Sequence, residues 1–552
     1  MHEAPPQNAV ALVSRLTHIG KALSSERDRD TLLEHILLAA KEVAHADGGK
    51  LYLLSAAGDV LEYIIGRTDS IHLAYGGSTG KKPPFPVIHL YDPRTQEPHL
   101  RSQVVRAVVQ KEAINVADIY TSKEFDFSAL KRFDLEYGFR TRSIITIPMI
   151  NHRNESIGCL QLINAKDPTT GATIAFSAEI VEVISSLASQ AAVIVDKETL
   201  IREQKILLES FIKMMAQAID AKSPYTGSHC VRVPVLTEML AEAACADDSG
   251  FFRTFRMNEE EKYELHIAAW LHDAGKIVTP VHIMDKATKL ETIYDRIQLI
   301  AARCEILKRD ARIRYLEALA AESADREALA ARYEKEIAAI DDDLAFLKTA
   351  NIGSEFMEDA KIARLHALAG QRLTIGDESE PLLTENELYN LSTRRGTITP
   401  EERQIMNDHM VHTVNMLESM PWPKHLQRVP EYATGHHEKM DGSGYPRGVL
   451  AGTMSIPARM MCVADVFEAL TASDRPYKKA KKLSEAMAII GQFKRTNHLD
   501  PNIVDFFVTS GIYRKFAEMF LSPEQIDAVD EAAIIAIEPE PMKVRMAPKQ
   551  AS

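Results

Sequence analysis

Hydrophobic and polar positions follow two different periods along the chain. In the first part, short apolar runs rich in β-branched residues alternate with polar turns such as Asn151-His-Arg-Asn154. Apolar runs of this kind between turn residues are typical of strands and hairpins. The pattern predicts a helix over 12–46 and strands within 50–65, 143–149 and 157–164. Helix, strands and a closing helix together predict an α+β module over 10–197, after a short tail at 1–9.

The segment 177–222 follows this module and contains no Gly or Pro. A continuous helix of that length would measure about 65–70 Å at 1.5 Å per residue. Apolar residues recur at steps of four and three, the repeat of a coiled-coil seam. We expect a parallel homodimer formed through this seam; the alternative is a helix that packs separately on each domain. The repeat falls on Ile180, Ile184, Leu187, Ala191, Ile194, Glu198, Ile201, Lys205, Leu208, Ile212 and Met215.

The rest of the chain has the apolar spacing of helices and few strand-like runs. It predicts an all-α helix bundle over 206–535, followed by a flexible tail at 536–552. Within the bundle, 291–369 is rich in Ala, Glu, Leu, Arg and Lys and predicts two or three long helices. The predicted fold class is therefore a multidomain chain, in which an α+β domain precedes an all-α domain.

Charge and cysteine usage limit the possible partners. The formal net charge of −13 disfavours binding to a nucleic-acid polymer, because such a surface repels a phosphate backbone. A small anionic nucleotide remains compatible, since metal ions or a few basic side chains can reverse the field in one cleft. Five cysteines, an odd number, show no Cys-x-x-Cys pair, and no signal or membrane-spanning run is evident. These features predict a cytoplasmic chain without a membrane partner.

Seven imidazole and carboxylate side chains in separate helical segments form the strongest chemical pattern. A helix bundle can turn such residues inward to build a metal site. Mixed nitrogen and oxygen ligands suit iron, manganese, zinc, cobalt or nickel better than magnesium or calcium. Seven ligands are too many for one ion with an open position, but they suit two ions that share an aspartate. The residues are His229, His272, Asp273, His409, His436, His437 and Asp465.

The sequence around these residues resembles the HD-GYP family over about 206–518. The motifs are YTGSHCVRV, LHDAGKI, MNDHMVHTVNML and HHEKMDGSGYP, the last of which contains the Gly-Tyr-Pro triplet. The resemblance implies a phosphodiesterase with two divalent ions, iron or manganese before zinc, cobalt or nickel, which hydrolyses cyclic di-GMP to linear pGpG, GMP or both. It also implies that Asp273 bridges the two ions. One ion would be held by His229, His272 and Asp465, and the other by His409, His436 and His437.

The same resemblance assigns roles around the metals. Lys276 lies one turn after His272 in HDAGKI. With Asp273, it is expected to act in catalysis and to contact the phosphate. Tyr445 is expected to shape the substrate loop. Arg475 and Lys478, in SDRPYKKA, are expected to hold a second phosphate or a guanine edge, and their alternative is a solvated basic patch.

Two carboxylates are expected to support the ligands. Glu438 follows the histidine pair directly, and Asp441 lies three residues further along. Both could orient imidazoles through the second ring nitrogen. A third metal in some family members uses a glutamate four residues before the first ligand histidine. That position is Tyr225 here, so two metals are expected.

The chain departs from the family pattern in the connection between its second and third ligand segments. His409 lies 137 positions (409 − 272) after His272, where the family manages with a few tens. A helical insert over 291–393 accounts for the difference, and it could shield the cleft, bind a partner or be inert. His282 stands where family members often have an aspartate and is not expected to bind metal.

The first module resembles a GAF domain through TRSIITIPMI, IGCLQLINAK and AFSAEIVEVISSLASQAAVIV. The resemblance implies a small-molecule sensor fold with an unidentified ligand, or a GAF fold used only for dimerisation. Nucleotide-binding GAF domains often carry an Asn-Lys…Phe…Asp-Glu signature. This chain has Asn164, Lys166 and Phe176, but Ile180-Val181 where the acidic pair falls, so a nucleotide ligand is not carried over.

Two other functional interpretations remain open. The enzyme could hydrolyse the mixed dinucleotide cyclic GMP-AMP, because the Gly-Tyr-Pro loop does not choose between guanine-containing cyclic dinucleotides. The chain could also be a non-catalytic receptor that binds the dinucleotide and signals through protein contacts. All seven ligand positions are filled, which favours a catalytic domain regulated by the GAF module.

Overall fold

The computed structural model describes residues 28–222, 229–320, 325–353, 356–473 and 480–542. The chain divides into two compact units, Met1–Leu207 and Leu208–Ser552. The first is a sheet with helices and the second is mainly helical, so the predicted fold class is confirmed. The predictions for Tyr225, Arg475, Lys478 and the N-terminal tail concern residues outside the described ranges.

The N-terminal unit is built on one antiparallel sheet of eight strands. The hydrogen-bonded order is β3-β2-β1-β7-β6-β5, with β4 also paired to β2 and β8 to β7. The strands are β1 (Ala46–Leu54), β2 (Val60–Thr68), β3 (Leu73–Tyr75), β4 (Ile88–His89), β5 (Ile114–Val116), β6 (Ile144–Ile150), β7 (Ser156–Lys166) and β8 (Thr173–Ile174). The helices are α1 (Arg29–Val43), α2 (Gln103–Gln110), α3 (Ser128–Tyr137) and α4 (Ala178–Lys222).

One face of this sheet packs against α1 and the first turns of α4. The side chains of Leu37, Leu51 and Ile184 are fully buried in that layer. Gly49 lets α1 approach closely, since a Cβ atom there would lie 2.7 Å from Leu37 Cδ1. The opposite face carries two separate apolar clusters, one around Tyr52 and one around Ile144.

Helix α4 does not offer the expected seam to a partner along its whole length. Ile184, Leu187 and Ala191 are buried in the first unit, and Ile212 is buried in the second. At these positions the seam prediction is wrong, because the residues pack within their own units as the alternative interpretation expected. By length and composition alone, Ala178–Ile219 could cross a membrane, since an 18-residue window within it has a mean hydropathy of 1.6; 33% of that window is buried.

The C-terminal unit is a helix bundle with a large apolar core. Its helices before the insert are α5 (His229–Ala246), α6 (Glu259–Leu271) and α7 (Val281–Met284). The insert helices are α8 (Ile297–Leu319), α9 (Arg326–Ile352), α10 (Asp359–Ala369) and α11 (Glu385–Leu391). The later helices are α12 (Pro400–Asn407), α13 (His409–Glu418), α14 (Val429–Thr434), α15 (Ile456–Thr471), α16 (Leu483–Arg495), α17 (Pro501–Thr509), α18 (Ile512–Phe520) and α19 (Glu531–Ile535).

Helices α8 and α9 form an antiparallel hairpin. Lys308 pairs with Asp341, and Arg314 pairs with Glu336 at 2.6 Å, so residues further along one helix meet residues earlier in the other. A small antiparallel ribbon, β9 (Arg372–Ile375) and β10 (Glu378–Pro381), follows α10. The sequence did not predict these two strands. The insert has an apolar core of its own, which includes Leu290 and Leu347.

Candidate metal centre

Each predicted ligand sits at the end of a helix or on a buried helix face. His229 begins α5, and His409 begins α13. His272 caps the C-terminus of α6, and Asp273 precedes the 3₁₀ turn Ala274–Ile277. The pair His436 and His437 follows α14, and Asp465 lies in the buried α15. Helix ends leave side chains clear of the regular backbone, so several helices of the bundle can direct them to one point.

The carboxylate of Asp273 divides the cluster into two groups. On one side, Asp273 Oδ2 lies 3.3 Å from both His229 Nε2 and His272 Nε2. On the other side, Asp273 Oδ1 lies 3.4 Å from His409 Nε2 and 3.9 Å from His436 Nε2. The two oxygens of one carboxylate therefore face two different sets of imidazoles.

The remaining two residues extend these groups. Asp465 Oδ1 lies 3.2 Å from His229 Nε2 and 3.8 Å from His272 Nε2. The ring of His437 lies 4.3 Å from that of His436, measured between centroids. In the group of Asp273, His409, His436 and His437, and in that of His229, His272 and Asp273, the potential ligand atoms lie within 4.8 Å of one another. All seven predicted residues are thus brought together.

Three of the imidazoles are oriented by the main chain. Nδ1 of His272 lies 2.7 Å from the carbonyl of Ala269, and Nδ1 of His436 lies 2.6 Å from that of Ala433. His409 makes the same contact with the carbonyl three residues before it. A ring nitrogen that faces a carbonyl carries the proton, so the lone pair of Nε2 points into the cluster.

Several buried polar atoms of the cluster lack a hydrogen-bond partner among the described residues. They are Asp273 Oδ1, His409 Nε2 and His436 Nε2. A buried polar atom without a partner costs about 1–3 kcal/mol, and such atoms are rare in folded proteins. Three acceptor atoms directed at one point fit a cation, so the donor set suits the divalent ions that the sequence predicts.

Burial and neighbouring charges shift the pKa values of the cluster in different directions for different residues. Burial lowers the pKa of His437 to about 4, and burial with the neighbouring His437 and His272 holds the pKa of His436 well below its usual value. Burial would raise the pKa of Asp273, but Lys276 and His272 outweigh it and hold that pKa well below the ordinary range. His436 and His437 are therefore held neutral and Asp273 ionised, the forms that bind a metal. Burial would lower the pKa of His229, but its hydrogen bonds to Asp273, Asp465 and Glu468 raise that pKa well above its usual value, so this ring must release a proton when a metal binds.

Lys276 lies at the edge of the cluster. Its ammonium pairs with Asp273 Oδ2, and its side chain is 18% exposed. Gly275, just before it, packs directly on α13, and a Cβ atom there would lie 1.9 Å from the carbonyl oxygen of His409. The glycine of HDAGKI thus brings the two ligand segments into contact, a role that the sequence analysis missed.

The roles predicted for Glu438 and Asp441 are wrong. The carboxylate of Glu438 accepts hydrogen bonds from the backbone N–H groups of Arg447, at 2.8 Å, and of Val449, at 3.0 Å. Asp441 accepts from the N–H of Ser443 at 2.9 Å. Their oxygens therefore close the Gly-rich loop on itself, and no imidazole contacts either of them among the described residues.

Glu468 performs the function that was assigned to those two carboxylates. It lies one turn after Asp465 on α15, is 2% exposed, and contacts His229 Nδ1 directly. Its other oxygen accepts from Arg232 Nε at 2.6 Å. The sequence analysis missed this residue, although the three-residue step from a ligand aspartate was a usable signal, since such positions share a helix face.

Tyr445 lies at the edge of the group formed by Asp273, His409, His436 and His437. Its ring stacks on that of His437, with centroids 4.8 Å apart and planes 21° apart. Gly444 permits this arrangement, because a Cβ atom there would lie 2.5 Å from Glu438 Cα. His282, excluded as a ligand, is exposed on α7 and belongs to neither group.

Family models match both units of the chain. A GAF domain matches over 28–195, and an HD domain matches over 355–503. The HD match includes His409, His436, His437 and Asp465 but not the first three ligands. Those three residues precede the match, which begins at residue 355, within the segment that the sequence predicts to be an insert.

Several proteins that are similar to part of this chain carry names that concern cyclic dinucleotides. A probable cyclic di-GMP phosphodiesterase of Vibrio cholerae is 34% identical over 154 residues, 27% of this chain and 33% of that protein. A cyclic di-GMP phosphodiesterase of Thermotoga maritima is 39% identical over 113 residues, 20% of this chain and 30% of that protein. The 3'3'-cGAMP-specific phosphodiesterase 1 of Vibrio cholerae is 42% identical over 80 residues, 14% of this chain and 18% of that protein.

The chain spans a third or less of the length of these relatives. The shared segments nevertheless belong to proteins named for one type of reaction, and the seven side chains converge in the unit that the HD model matches. The chain therefore joins a GAF domain to an HD domain, and part of it is similar to proteins named as cyclic di-GMP phosphodiesterases.

Proposed function

We propose that the chain is a metal-dependent phosphodiesterase that hydrolyses cyclic di-GMP to linear pGpG, GMP or both. The observation that carries this proposal is the carboxylate of Asp273, whose two oxygens face two separate sets of imidazoles. A shared carboxylate between two nitrogen-rich groups is the arrangement that a two-metal phosphoester hydrolase needs. The names of the similar proteins support the choice of substrate.

Two divalent ions fit the donor set, one at His229, His272 and Asp465 and the other at His409, His436 and His437, with Asp273 between them. When bound, such ions supply the Lewis acidity that lets water attack phosphorus near neutral pH. The imidazole-rich set favours iron or manganese, with zinc, cobalt or nickel as alternatives and magnesium least suited.

Two residues at the edge of the cluster would act on the substrate directly. Lys276 would hold a phosphoryl oxygen as a point charge while also neutralising Asp273. Tyr445 would position the dinucleotide beside the ring of His437 on which it stacks. Arg475 and Lys478 keep their predicted roles with the second phosphate or a guanine edge. The enzyme would act in the cytoplasm under control of its GAF domain.

Chelation tests the dependence on metal. Treatment of the purified protein with a strong chelator should abolish hydrolysis of cyclic di-GMP, and anaerobic addition of iron or manganese should restore it. Magnesium should not restore it, because the imidazole ligands suit softer ions. Restoration by magnesium alone would contradict the assignment of the ligands.

A double variant tests the site. His272→Ala with Asp273→Ala should remove both metal and turnover, since it deletes ligands from both groups, while the GAF unit keeps its fold by circular dichroism. Retained hydrolysis in this variant would reject the site. Metal retained at the native ratio, even with turnover lost, would contradict the assignment of His272 and Asp273 as ligands.

Cyclic GMP-AMP is the second candidate substrate. It is favoured by the match at 42% identity to a phosphodiesterase named as specific for 3'3'-cGAMP. Hydrolysis of both dinucleotides under the same conditions, with the products separated by chromatography, distinguishes the two. Tight binding of either dinucleotide to fully metal-loaded protein without any product would instead establish the receptor interpretation.

The protein would act as a homodimer through an exposed stripe of α4. Val193, Leu200, Leu207 and Met214 are spaced by seven residues and are 44%, 36%, 71% and 55% exposed. Exposed apolar residues that recur on one side of a helix favour contact with a partner surface. Sedimentation should give a dimer, and Leu207→Glu should give a monomer. A monomeric wild-type protein at micromolar concentration would contradict the dimer.

A further inference from the structure

The face of the GAF sheet opposite to α1 carries a row of polar side chains between its two apolar clusters. Lys50 of β1 is the cross-strand neighbour of Gln161 in β7, which is the neighbour of Thr146 in β6. Their chain neighbours, including Leu51 and Leu162, point to the α1 side. Side chains alternate between the faces of a strand, so the three polar residues share the other face.

Lys50 is half-buried, and its ammonium makes no hydrogen bond or ion pair with any of the residues that the structure describes. Its nitrogen lies 5.4 Å from the ring centroid of Phe133 and 5.9 Å from that of Tyr63. The carboxylate of Asp134, the anion that acts on it, bonds instead to Thr141 and Tyr120. Burial lowers the pKa of Lys50 to about 8.

Two further polar atoms on this face are buried without a partner among the described residues. They are the hydroxyl of Tyr63 and Oε1 of Gln161, whose amide nitrogen donates to Thr146 at 3.2 Å. Gly66 accommodates the phenol, since a Cβ atom there would lie 1.9 Å from the Tyr63 hydroxyl oxygen. A buried hydroxyl and a buried amide oxygen without hydrogen-bond partners therefore share this face with an ammonium that contacts only aromatic rings.

Aromatic rings surround this group. Phe85, in the segment between β3 and β4, packs edge to face on Tyr63 with centroids 5.1 Å apart. Phe85 and Phe133 lie 6.1 Å apart. Rings around an ammonium favour a planar guest that contacts their faces while its charge meets the cation. A single ammonium suits a singly charged carboxylate better than a phosphate dianion, which needs more donors.

We propose that this face of the GAF domain binds a small aromatic carboxylate. Lys50 pairs with the carboxylate, the rings of Tyr63, Phe85 and Phe133 contact the ring of the ligand, and Gln161 Oε1 accepts a hydrogen bond from a donor on that ring. The inference concerns the chemistry of the ligand, which the GAF resemblance leaves open. It does not depend on the phosphodiesterase activity, because the site lies wholly within the N-terminal unit.

Calorimetric titration of the full-length protein tests the proposal. The probe is 4-hydroxybenzoate, with 4-hydroxybenzyl alcohol as its neutral analogue and phenyl phosphate as the dianion. The carboxylate should bind with saturation at millimolar concentration or below, and both analogues should bind at least about tenfold more weakly, as loss of a buried charged contact predicts. No saturation by 4-hydroxybenzoate, or equal binding of the neutral analogue, would overturn the proposal.

Substitution of Lys50 separates a binding role from a structural one. Lys50→Met should weaken binding of 4-hydroxybenzoate at least about tenfold, whereas Lys123→Met, at an exposed position of the same unit, should not change it. Lys50→Met should also raise the thermal unfolding midpoint of the ligand-free protein, because an ammonium without a partner destabilises the fold. A lowered midpoint together with unchanged binding would make Lys50 a structural residue and refute the site.

Discussion

Two buried polar clusters in the C-terminal unit differ in how their charges are partnered. At the base of the insert, Lys286 bonds to both oxygens of Glu402, at 2.7 and 2.8 Å, and to Asn390 at 2.9 Å. Lys289 donates to the carbonyls of Leu391 and Thr393. In the metal centre, by contrast, acceptor atoms of Asp273, His409 and His436 face one another without a donor.

The difference distinguishes a structural cluster from a binding site. The hydrogen bonds at the base of the insert join the residues before this segment, 291–393, to residues at its end and just after it. The donors and acceptors of these bonds all belong to the chain itself. Buried polar groups that are complete stabilise and specify a fold. The metal centre leaves the same kind of atom incomplete, which is costly unless a ligand completes it. The hydroxyl of Tyr63 and Oε1 of Gln161, beside Lys50 in the other unit, are likewise buried without a partner among the described residues.

Removal of Lys286 should produce the largest loss of stability. Its side chain is 1% exposed, and Lys286→Met leaves Glu402 without its cation. Loss of one partner of a buried pair costs about 3 kcal/mol or more. Chemical unfolding monitored by circular dichroism should show this loss, with the metal content of the folded protein unchanged.

Lys308 provides the matched control for that variant. It pairs with Glu305 and Asp341 in the same insert, but both carboxylates are 54% exposed. Exposed ion pairs contribute about 0–1 kcal/mol, so Lys308→Met should have a small effect. Equal losses in the two variants would mean that the base of the insert is not a distinct structural element.

Substitution of Glu468 should weaken metal binding without removing it. Glu468→Ala frees the ring of His229 to rotate, and loss of a carboxylate that orients a ligand imidazole typically costs about ten- to a hundredfold in metal affinity. Competition with a chelator measures this affinity, and the apo protein should unfold with an intact cooperative transition. Glu468→Gln, which keeps an acceptor oxygen, should lose less. Affinities equal to wild type in both variants would exclude the orienting role.

His282→Ala should have the smallest effect. The side chain is exposed and lies in neither ligand group, although it occupies the position where an aspartate is often found in the HD-GYP pattern. Metal content and turnover should stay within about twofold of wild type, because surface substitutions away from a site are nearly neutral. A loss of one metal in this variant would place a further ligand on α7.

The residues that converge at the candidate site could be predicted from sequence because all but Asp465 lie in short motifs with their own local signal. The insert between His272 and His409 does not disturb this, since loop length does not alter what a helix end presents. Glu468 was harder to identify from sequence, because its segment FEAL, at 467–470, lies in an apolar helix that is explained equally well by core packing alone. The hydrogen bonds of Glu438 could not be foreseen, since they depend on the path of the Gly-rich loop.

Prediction of the fold from sequence was limited in the same way, by contacts that have no local signal. Alternation and turn residues identified the sheet strands around Lys50 and Ile147, but the ribbon of β9 and β10 was too short and polar to give a periodic signal. The apolar repeat of α4 was real, yet Ile184 and Ile212 bury it within their own units. Periodicity identifies an apolar face and cannot tell which surface will cover it.

The metal content of the protein purified without oxygen tests the central claim most directly. Elemental analysis of wild type should give two transition-metal ions per chain, and Asp273→Ala should lose most of both because its carboxylate serves both groups. His229→Ala, which affects one group, should retain about one ion. A wild-type protein with no more than one ion, or an Asp273→Ala variant that keeps two, would contradict a carboxylate shared by two metals.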